Sequence, residues 1–430
     1  MTLIADIHRV LVDHCTLVED EKQSHAQRQR YISHVQSVLA DSQLDRRTPD
    51  EVWALGWDKP FFSNVRAALA GPAVIRARQS GVFDNACEIA SPEFMKDGKR
   101  GVLVLDGIKR GDLRGVCQVD KRLQRVQSYA RAVPQITEAV NRFFQVWRSG
   151  SYGDDELQAL AVSIAEDISV GGGAIGKVEG FGFTTACHLL ADLGLPVFKP
   201  DIWVCRVVSA LPSVRAEIQR AWKLGTRPVP FDFLEKKMVG PRAPAAYRRI
   251  VQPVLNALVS DVQHLAIDDL DLAPAFLRAR FVDWTLVHFA ISANAEISGL
   301  VRRPVDLLCG ASEAVAWPRL HALARWLRDG QAAHEAGKKL LNAEKKRQDA
   351  QELPVAHSAR ADHVLLEHRA QEAWAAWDEA TSSAWEFDVC FPDDVVRNDD
   401  AEKWRYIHAA RSARTATSHF TEQAARAGVE

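Results

Sequence analysis

The stretch from Lys177 to Val208, KVEGFGFTTACHLLADLGLPVFKPDIWVCRVV, decides the fold that this sequence predicts. It begins with a turn that contains Gly180 and Gly182, and glycine tolerates positive φ and lets another backbone come close. The following residues predict a helix over about 183–193, with Gly194 as its stop. A glycine turn that leads into a helix N-terminus exposes backbone N–H groups and the positive end of the helix dipole, which suits a phosphate oxygen. The turn alone favours the alternative, a helix–turn–helix corner without a ligand.

The second half of the stretch contains a lone carboxylate at a predicted helix start. Pro200 fixes its own φ and holds Lys199 extended. Asp201 then falls at a natural N-cap position, with a helix predicted from Ile202 to about Leu211. By itself, an aspartate in this position is most simply a helix cap worth ~1 kcal/mol.

Taken together, the glycine turn, the helix and the aspartate resemble the helix-hairpin-helix DNA glycosylase superfamily over about residues 175–208. In that family the hairpin holds the DNA backbone beside a flipped nucleotide, and the aspartate supports the sugar cation as the base leaves. The resemblance therefore implies that Asp201 is the catalytic residue. It also implies that residues on and near the hairpin contact DNA, namely Lys177, Gly180, Gly182, Thr184, Thr185, Lys199 and Arg206.

Two departures from the family pattern narrow the expected chemistry. Members with lyase activity carry a lysine two residues after the second hairpin glycine, where this chain has Thr184. A Schiff base needs an amine, so we expect a monofunctional enzyme that leaves an intact abasic site. The seven cysteines are scattered along the chain, so no iron–sulfur cluster is expected. The resemblance leaves open a monovalent cation at the hairpin, and the sequence predicts no other cofactor or metal.

The amino-acid composition constrains which cellular compartment and which binding partners are expected. The chain has 430 residues, of which 47% are apolar and 26% are charged, as in ordinary globular proteins. The odd, dispersed set of cysteines predicts a reducing, cytoplasmic compartment, and the lack of a long apolar run predicts no membrane partner. Because the formal net charge is -2, a DNA-binding protein of this composition must gather its positive charge on one face.

The predicted fold class is mainly α, with three regions along the chain. Residues 1–60 form an N-terminal helical region, 61–310 a helix-hairpin-helix glycosylase core, and 311–430 an added C-terminal helical region. Within the core, the hairpin unit covers about 155–211. A basic insertion covers about 93–131, with ten Lys or Arg against five Asp or Glu, and its two short apolar runs predict a small β-hairpin.

Hydrophobic periodicity predicts the helices around the hairpin unit. One runs from Gln124 to Trp147, and later ones run from Tyr247 to Leu265 and from Pro274 to Ala293. Asp154 or Asp155 is predicted to cap the helix that precedes the hairpin.

The sequence leaves three hypotheses about function open. The first is a DNA glycosylase that flips a damaged or modified base out of double-stranded DNA and hydrolyses its N-glycosidic bond. Its substrate could be an alkylated base in repair, or phage hypermodified (glucosylated hydroxymethyl) cytosine in antiviral defence. The second is a non-catalytic helix-hairpin-helix DNA-binding protein, and the third is a helical scaffold with a purely structural glycine turn. No oligomeric state is predicted.

Overall fold

The computed structural model describes residues 3–14, 33, 35–36, 46–62, 67–79, 81, 83–92, 94, 119–225, 229–262, 272, 275–294, 318–350 and 358–382. Over these residues the protein is mainly α-helical and contains no strand, which confirms the predicted helical fold class. The glycosylase core and the three-region division stay predictions.

The helices are α1 (Leu3–His14), α2 (Pro49–Gly56), α3 (Lys59–Phe62), α4 (Ala67–Gln79), α5 (Ala86–Ala90), α6 (Val119–Ser149), α7 (Asp154–Val170), α8 (Phe183–Asp192), α9 (Ile202–Ala210), α10 (Pro212–Ala221), α11 (Phe233–Lys237), α12 (Ala243–Ala246), a π-helical segment (Tyr247–Val251), α13 (Gln252–Val262), α14 (Ala275–Asn294), α15 (Pro318–Ala350) and α16 (Ser358–Ser382).

The basic insertion is helical over its last part, and the predicted start of this helix is corrected. Helix α6 begins at Val119, five residues before the predicted start at Gln124. The physical reason is that Arg122 and Leu123 are buried one turn before Val126, so the buried face of the helix continues on the N-terminal side of Gln124. The predicted β-hairpin, at 101–119, lies outside the described residues except for Val119, which is helical.

The predicted cap of α7 is also corrected. The N-cap residue is Gly153, and its backbone N–H donates a hydrogen bond of 2.9 Å to the Glu156 side chain. Asp154 and Asp155 instead lie in the first turn, where a carboxylate complements the helix dipole.

Among the described residues, helix α14 is one of two helices around which the others pack. It contacts α1, α9, α13 and α15, and its Phe281, Leu286 and Phe289 are completely buried. Helix α6 organises the other side of the core, where it packs against α2, α3, α5 and α7. The site described below lies on elements that reach both of these helices.

The C-terminal region contributes two long helices, α15 and α16, which pack along each other. Their contact is centred on the buried indoles of Trp326 and Trp377, which both approach Phe231. A Cβ at Gly330 would lie 2.4 Å from the Phe231 ring, so the glycine lets α15 approach this closely. The predicted helical character of this region is confirmed for these two helices, and residues 383–430 lie outside the described part.

None of the helices in the described ranges is long and apolar enough to cross a lipid bilayer.

A buried charge cluster ties α3, α8 and α14 together. Asp192 on α8 is 2.6 Å from Lys59 and 2.6 Å from Arg280. Burial alone would raise the pKa of Asp192, but Lys59, His188 and Arg280 together hold that pKa well below its ordinary value. Burial lowers the pKa of His188 to about 3, so the imidazole is neutral at neutral pH and the cations of the cluster are Lys59 and Arg280.

We expect Asp192→Asn to destabilise the protein by about 3 kcal/mol, because it removes the counter-charge of the buried Lys59 and the nearer of the two acids that contact Arg280. Urea denaturation at neutral pH measures the effect. The matched control is Glu138→Gln, which breaks an exposed pair of similar geometry (Arg142–Glu138, 2.6 Å) and should cost less than about 0.5 kcal/mol. Equal losses in the two variants would mean that the cluster adds no more to stability than a surface pair.

Candidate functional site

The hairpin that joins α7 to α8 is anchored at its start by one carboxylate. Asp167, on the last turn of α7, accepts backbone N–H bonds from Gly173 (2.7 Å), Ile175 (2.9 Å) and Gly176 (3.3 Å). The course of the loop over 171–176 is therefore fixed by an acceptor that satisfies several amides at once.

The tip of the hairpin is anchored on α6. The Glu179 N–H donates to the Ser128 hydroxyl at 2.9 Å, and the buried Phe181 ring stacks on Tyr129 with a centroid distance of 4.9 Å. Phe181, between the two glycines, is thus a core residue and leaves the glycine backbone on the outside.

The two hairpin glycines differ in whether their backbone and surroundings would accept another residue type. Gly180 has φ +85°, and a Cβ there would lie 2.4 Å from the Arg125 side chain, so only glycine fits. Gly182 has φ -72° and N-caps α8, and a Cβ there would meet nothing within 4 Å. Within the described part of the chain, neither glycine N–H has a hydrogen-bond acceptor, so both amides are available to an anion.

Asp201 is the N-cap of α9, as the sequence predicts. Its Oδ1 accepts the N–H bonds of Trp203 (2.9 Å) and Val204 (3.0 Å). Its Oδ2 lies 3.4 Å from the Lys199 ammonium, and the side chain keeps 13% of its exposure. The carboxylate is therefore fixed by one oxygen, while the other remains at the edge of the surface beside a cation.

The hairpin helix is joined to the residue that precedes the aspartate. The Thr184 hydroxyl, in the first turn of α8, donates to the carbonyl oxygen of Pro200 at 3.3 Å. The N-terminus of α8 and the Asp201 carboxylate therefore lie at the same end of the hairpin unit. Thr185 is half-buried beside Thr184, in the same turn.

The two lysines predicted to contact DNA are each paired with a carboxylate. The Lys177 ammonium is exposed and 3.2 Å from Glu179, whereas Lys199 is paired with Asp201. A phosphate that approaches the hairpin would therefore compete with a carboxylate for each of these two lysines.

The prediction for Arg206 is corrected by the structure. Its side chain is buried, with Nε 2.5 Å from the Glu235 carboxylate and Nη1 2.8 Å from the side-chain amide oxygen of Gln331. The guanidinium also lies 5.1 Å from each of the Trp203 and Phe231 ring centroids. Arg206 lies on the face of α9 that packs against α11 and α15, so it joins these helices and presents no cation to DNA.

Asp283 is a further residue of the site that the sequence pattern did not assign. It is buried on α14, and its Oδ1 accepts the Lys199 N–H at 3.2 Å. Its Oδ2 is 4.0 Å from Arg280. Burial raises the pKa of Asp283 to about 7, while Arg280 opposes the rise and the nearby Asp201 adds to it. The sequence feature that could have identified Asp283 is its position as a lone acid in the mostly apolar run from Phe281 to Leu286.

No group of His, Cys, Asp or Glu among the described residues has an arrangement that could hold a metal ion. Comparisons with protein-family models, with curated proteins and with solved structures returned no significant match.

We expect Gly180→Ala to destabilise the protein by about 1–3 kcal/mol, because alanine is strained at this positive φ and its methyl group would overlap the Arg125 side chain. The neighbouring Gly182→Ala is the matched control and should change stability by no more than about 1 kcal/mol, since its φ is ordinary and the space is open. Thermal and urea unfolding measure both variants. An equal, small effect at the two positions would contradict the described hairpin geometry.

Proposed function

We propose that this protein is a monofunctional DNA glycosylase. It flips a damaged or modified base out of double-stranded DNA and hydrolyses the N-glycosidic bond, leaving an abasic site. The observation that carries the proposal is the hydrogen bond from Thr184 to the carbonyl of Pro200, the residue before Asp201, which ties the start of α9 to the first turn of the hairpin helix. In this proposal, the anion-binding end and the catalytic carboxylate act together on one nucleotide.

DNA binding follows from the hairpin backbone. The N–H groups of Gly180 and Gly182 have no acceptor within the described part of the chain, and the dipole of α8 adds a positive end. With the exposed Lys177 nearby, this end contacts one or two phosphates next to the target nucleotide. A footprint of this size is compatible with a net charge of -2.

The chemical step uses the charge of Asp201. Extruding the nucleotide costs a few kcal/mol, and the N-glycosidic bond then stretches while positive charge grows on the sugar. A carboxylate ~4 Å away, at an effective dielectric constant near 20, stabilises that charge by ~4 kcal/mol, or about a thousandfold in rate. This stabilisation acts on charge that is present only in the transition state, so it raises turnover.

Lys199 has a second function in this proposal. In the free protein its ammonium group lies 3.4 Å from Asp201 Oδ2 and partly neutralises it. A DNA phosphate attracts the lysine, and Asp201 Oδ2 then faces the sugar or the attacking water. Binding of the strand thus activates the carboxylate.

A non-catalytic DNA-binding protein is the second candidate. The capping bonds from Trp203 and Val204 and the Lys199 ion pair account for Asp201 without any chemistry. Under this hypothesis the protein binds DNA in a salt-dependent way but releases no base.

The reaction and the substrate are identified by one assay. Wild-type protein is incubated with unmodified DNA, with alkylated DNA and with DNA containing glucosylated hydroxymethylcytosine, and each product is then treated with alkali. Strand breaks that appear only after alkali support monofunctional base excision and name the base. Breaks without alkali would contradict the monofunctional assignment, and binding without breaks on every substrate would favour the second candidate.

We expect Asp201→Asn to retain DNA affinity and to lose about a thousandfold in the single-turnover rate of base release. Asparagine also caps helices, so the variant should keep its fold. The matched control is Asp154→Asn, whose side chain is 73% exposed in the first turn of α7 and should retain full activity. Undiminished base release by Asp201→Asn would remove this carboxylate from the mechanism.

A further inference from the structure

We infer that Asp283 is a positioning residue of the site, which fixes the Lys199–Asp201 segment through the Lys199 amide and controls the charge behind the Asp201 carboxylate. The inference rests on the proposed glycosylase function, and one of its tests is independent of that function.

The geometric argument begins with the course of the backbone. The Asp201 N–H bonds the Lys199 carbonyl at 2.7 Å, so these residues form a tight turn around Pro200. Proline has no N–H, which leaves the Lys199 amide as the donor by which the turn can be attached to the core. That amide donates to Asp283 Oδ1 at 3.2 Å. From the other side, the Pro200 carbonyl accepts the Thr184 hydroxyl.

The surroundings of Asp283 contain few groups that oppose its protonation. On its own helix, Arg280 is 4.0 Å away but is already bound to Asp192 at 2.6 Å. From the turn, Lys199 favours the ionised form, whereas Asp201 disfavours it. The remaining two groups, Cys187 on α8 and Tyr247 on the π-helical segment, stay neutral, because burial raises the pKa of each well above its ordinary value.

The balance of these groups places the charge change of Asp283 near neutral pH. Its pKa, raised by burial to about 7, makes it a neutral acid in slightly acidic solution and a carboxylate in slightly basic solution. In the ionised state, Asp283 adds a second negative charge behind Asp201, which favours a cationic sugar in the transition state. The rate of base release should therefore rise with pH through about 7.

The first test is the pH profile of single-turnover base release, measured over about pH 5.5 to 9. The substrate is a duplex that contains the base excised by the wild type. The wild type should rise on the order of tenfold, and Asp283→Asn, which accepts the same amide bond without a charge, should remain at the low plateau. Asp283→Glu should recover a pH-dependent rise, and Asp154→Asn should retain the wild-type profile.

The alternative outcomes of the pH-profile test lead to different conclusions. A purely structural role would lower the Asp283→Asn rate by the same factor at every pH and would leave the pH dependence unchanged, which would overturn the inference. If the wild type releases no base from any substrate, the proposed function fails and the second test decides the inference.

The second test uses stability alone. A buried carboxyl whose pKa is raised in the folded state contributes stability at low pH, and that contribution is lost as pH rises through about 7. Asp283→Asn cannot ionise, so its stability relative to the wild type should increase between about pH 4 and pH 7 and then stay level up to about pH 9. Urea denaturation of both proteins across this range provides the measurement. A constant difference would show that Asp283 does not change charge there, and would overturn the inference.

Discussion

The position of the Asp201 carboxylate depends on polar groups that hold the short loop between α8 and α9. Along this loop the Phe198 amide donates to the buried Tyr247 hydroxyl at 3.2 Å, and the Lys199 amide donates to Asp283. A buried amide without a partner costs about 1–3 kcal/mol. Because these partners lie on the π-helical segment and on α14, several distant elements of the fold jointly determine where Asp201 lies.

The same constraint connects the stability of the fold to the electrostatics of the site. Charges alternate along a series that begins at Lys59 and continues through Asp192, Arg280 and Asp283. Arg280 is shared between two acids, and its stronger contact, at 2.6 Å, is to Asp192. The weaker contact leaves Asp283 incompletely compensated, so the cluster that joins α3, α8 and α14 also sets the conditions under which Asp283 holds a proton.

Local features of the hairpin unit were predictable because short-range chemistry determines them. The positive φ that glycine tolerates marks the turn at Gly180 and the end of α8 at Gly194. After Gly194, the Leu195 N–H donates to the Leu190 carbonyl and closes this end of the helix. A side chain that can accept two amides marked the cap at Asp201. These signals need no knowledge of what packs against them.

The functions of the neighbouring charges were not predictable, because tertiary contacts determine them. Lys199 and Arg206 are both cations within five residues of Asp201, yet one lies at the surface edge and the other is buried. Only the positions of α11 and α15 distinguish them, since Glu235 and Gln331 bind the Arg206 guanidinium. Asp283 was visible as an acid in an apolar run, but its partner, the Lys199 amide, is 84 residues away in sequence.

Arg206 also changes the interpretation of the C-terminal helices. Helix α9 is fixed at its first turn by the Asp201 cap and at its middle by Arg206, which binds Gln331 on α15. Since a misplacement of about 1 Å can cost two orders of magnitude in rate, the proposed catalytic role of Asp201 would benefit from a second anchor that restrains the rotation of α9. The region predicted as an added C-terminal helical region thus contributes, through α15, to the framework that holds the Asp201 carboxylate, together with α14.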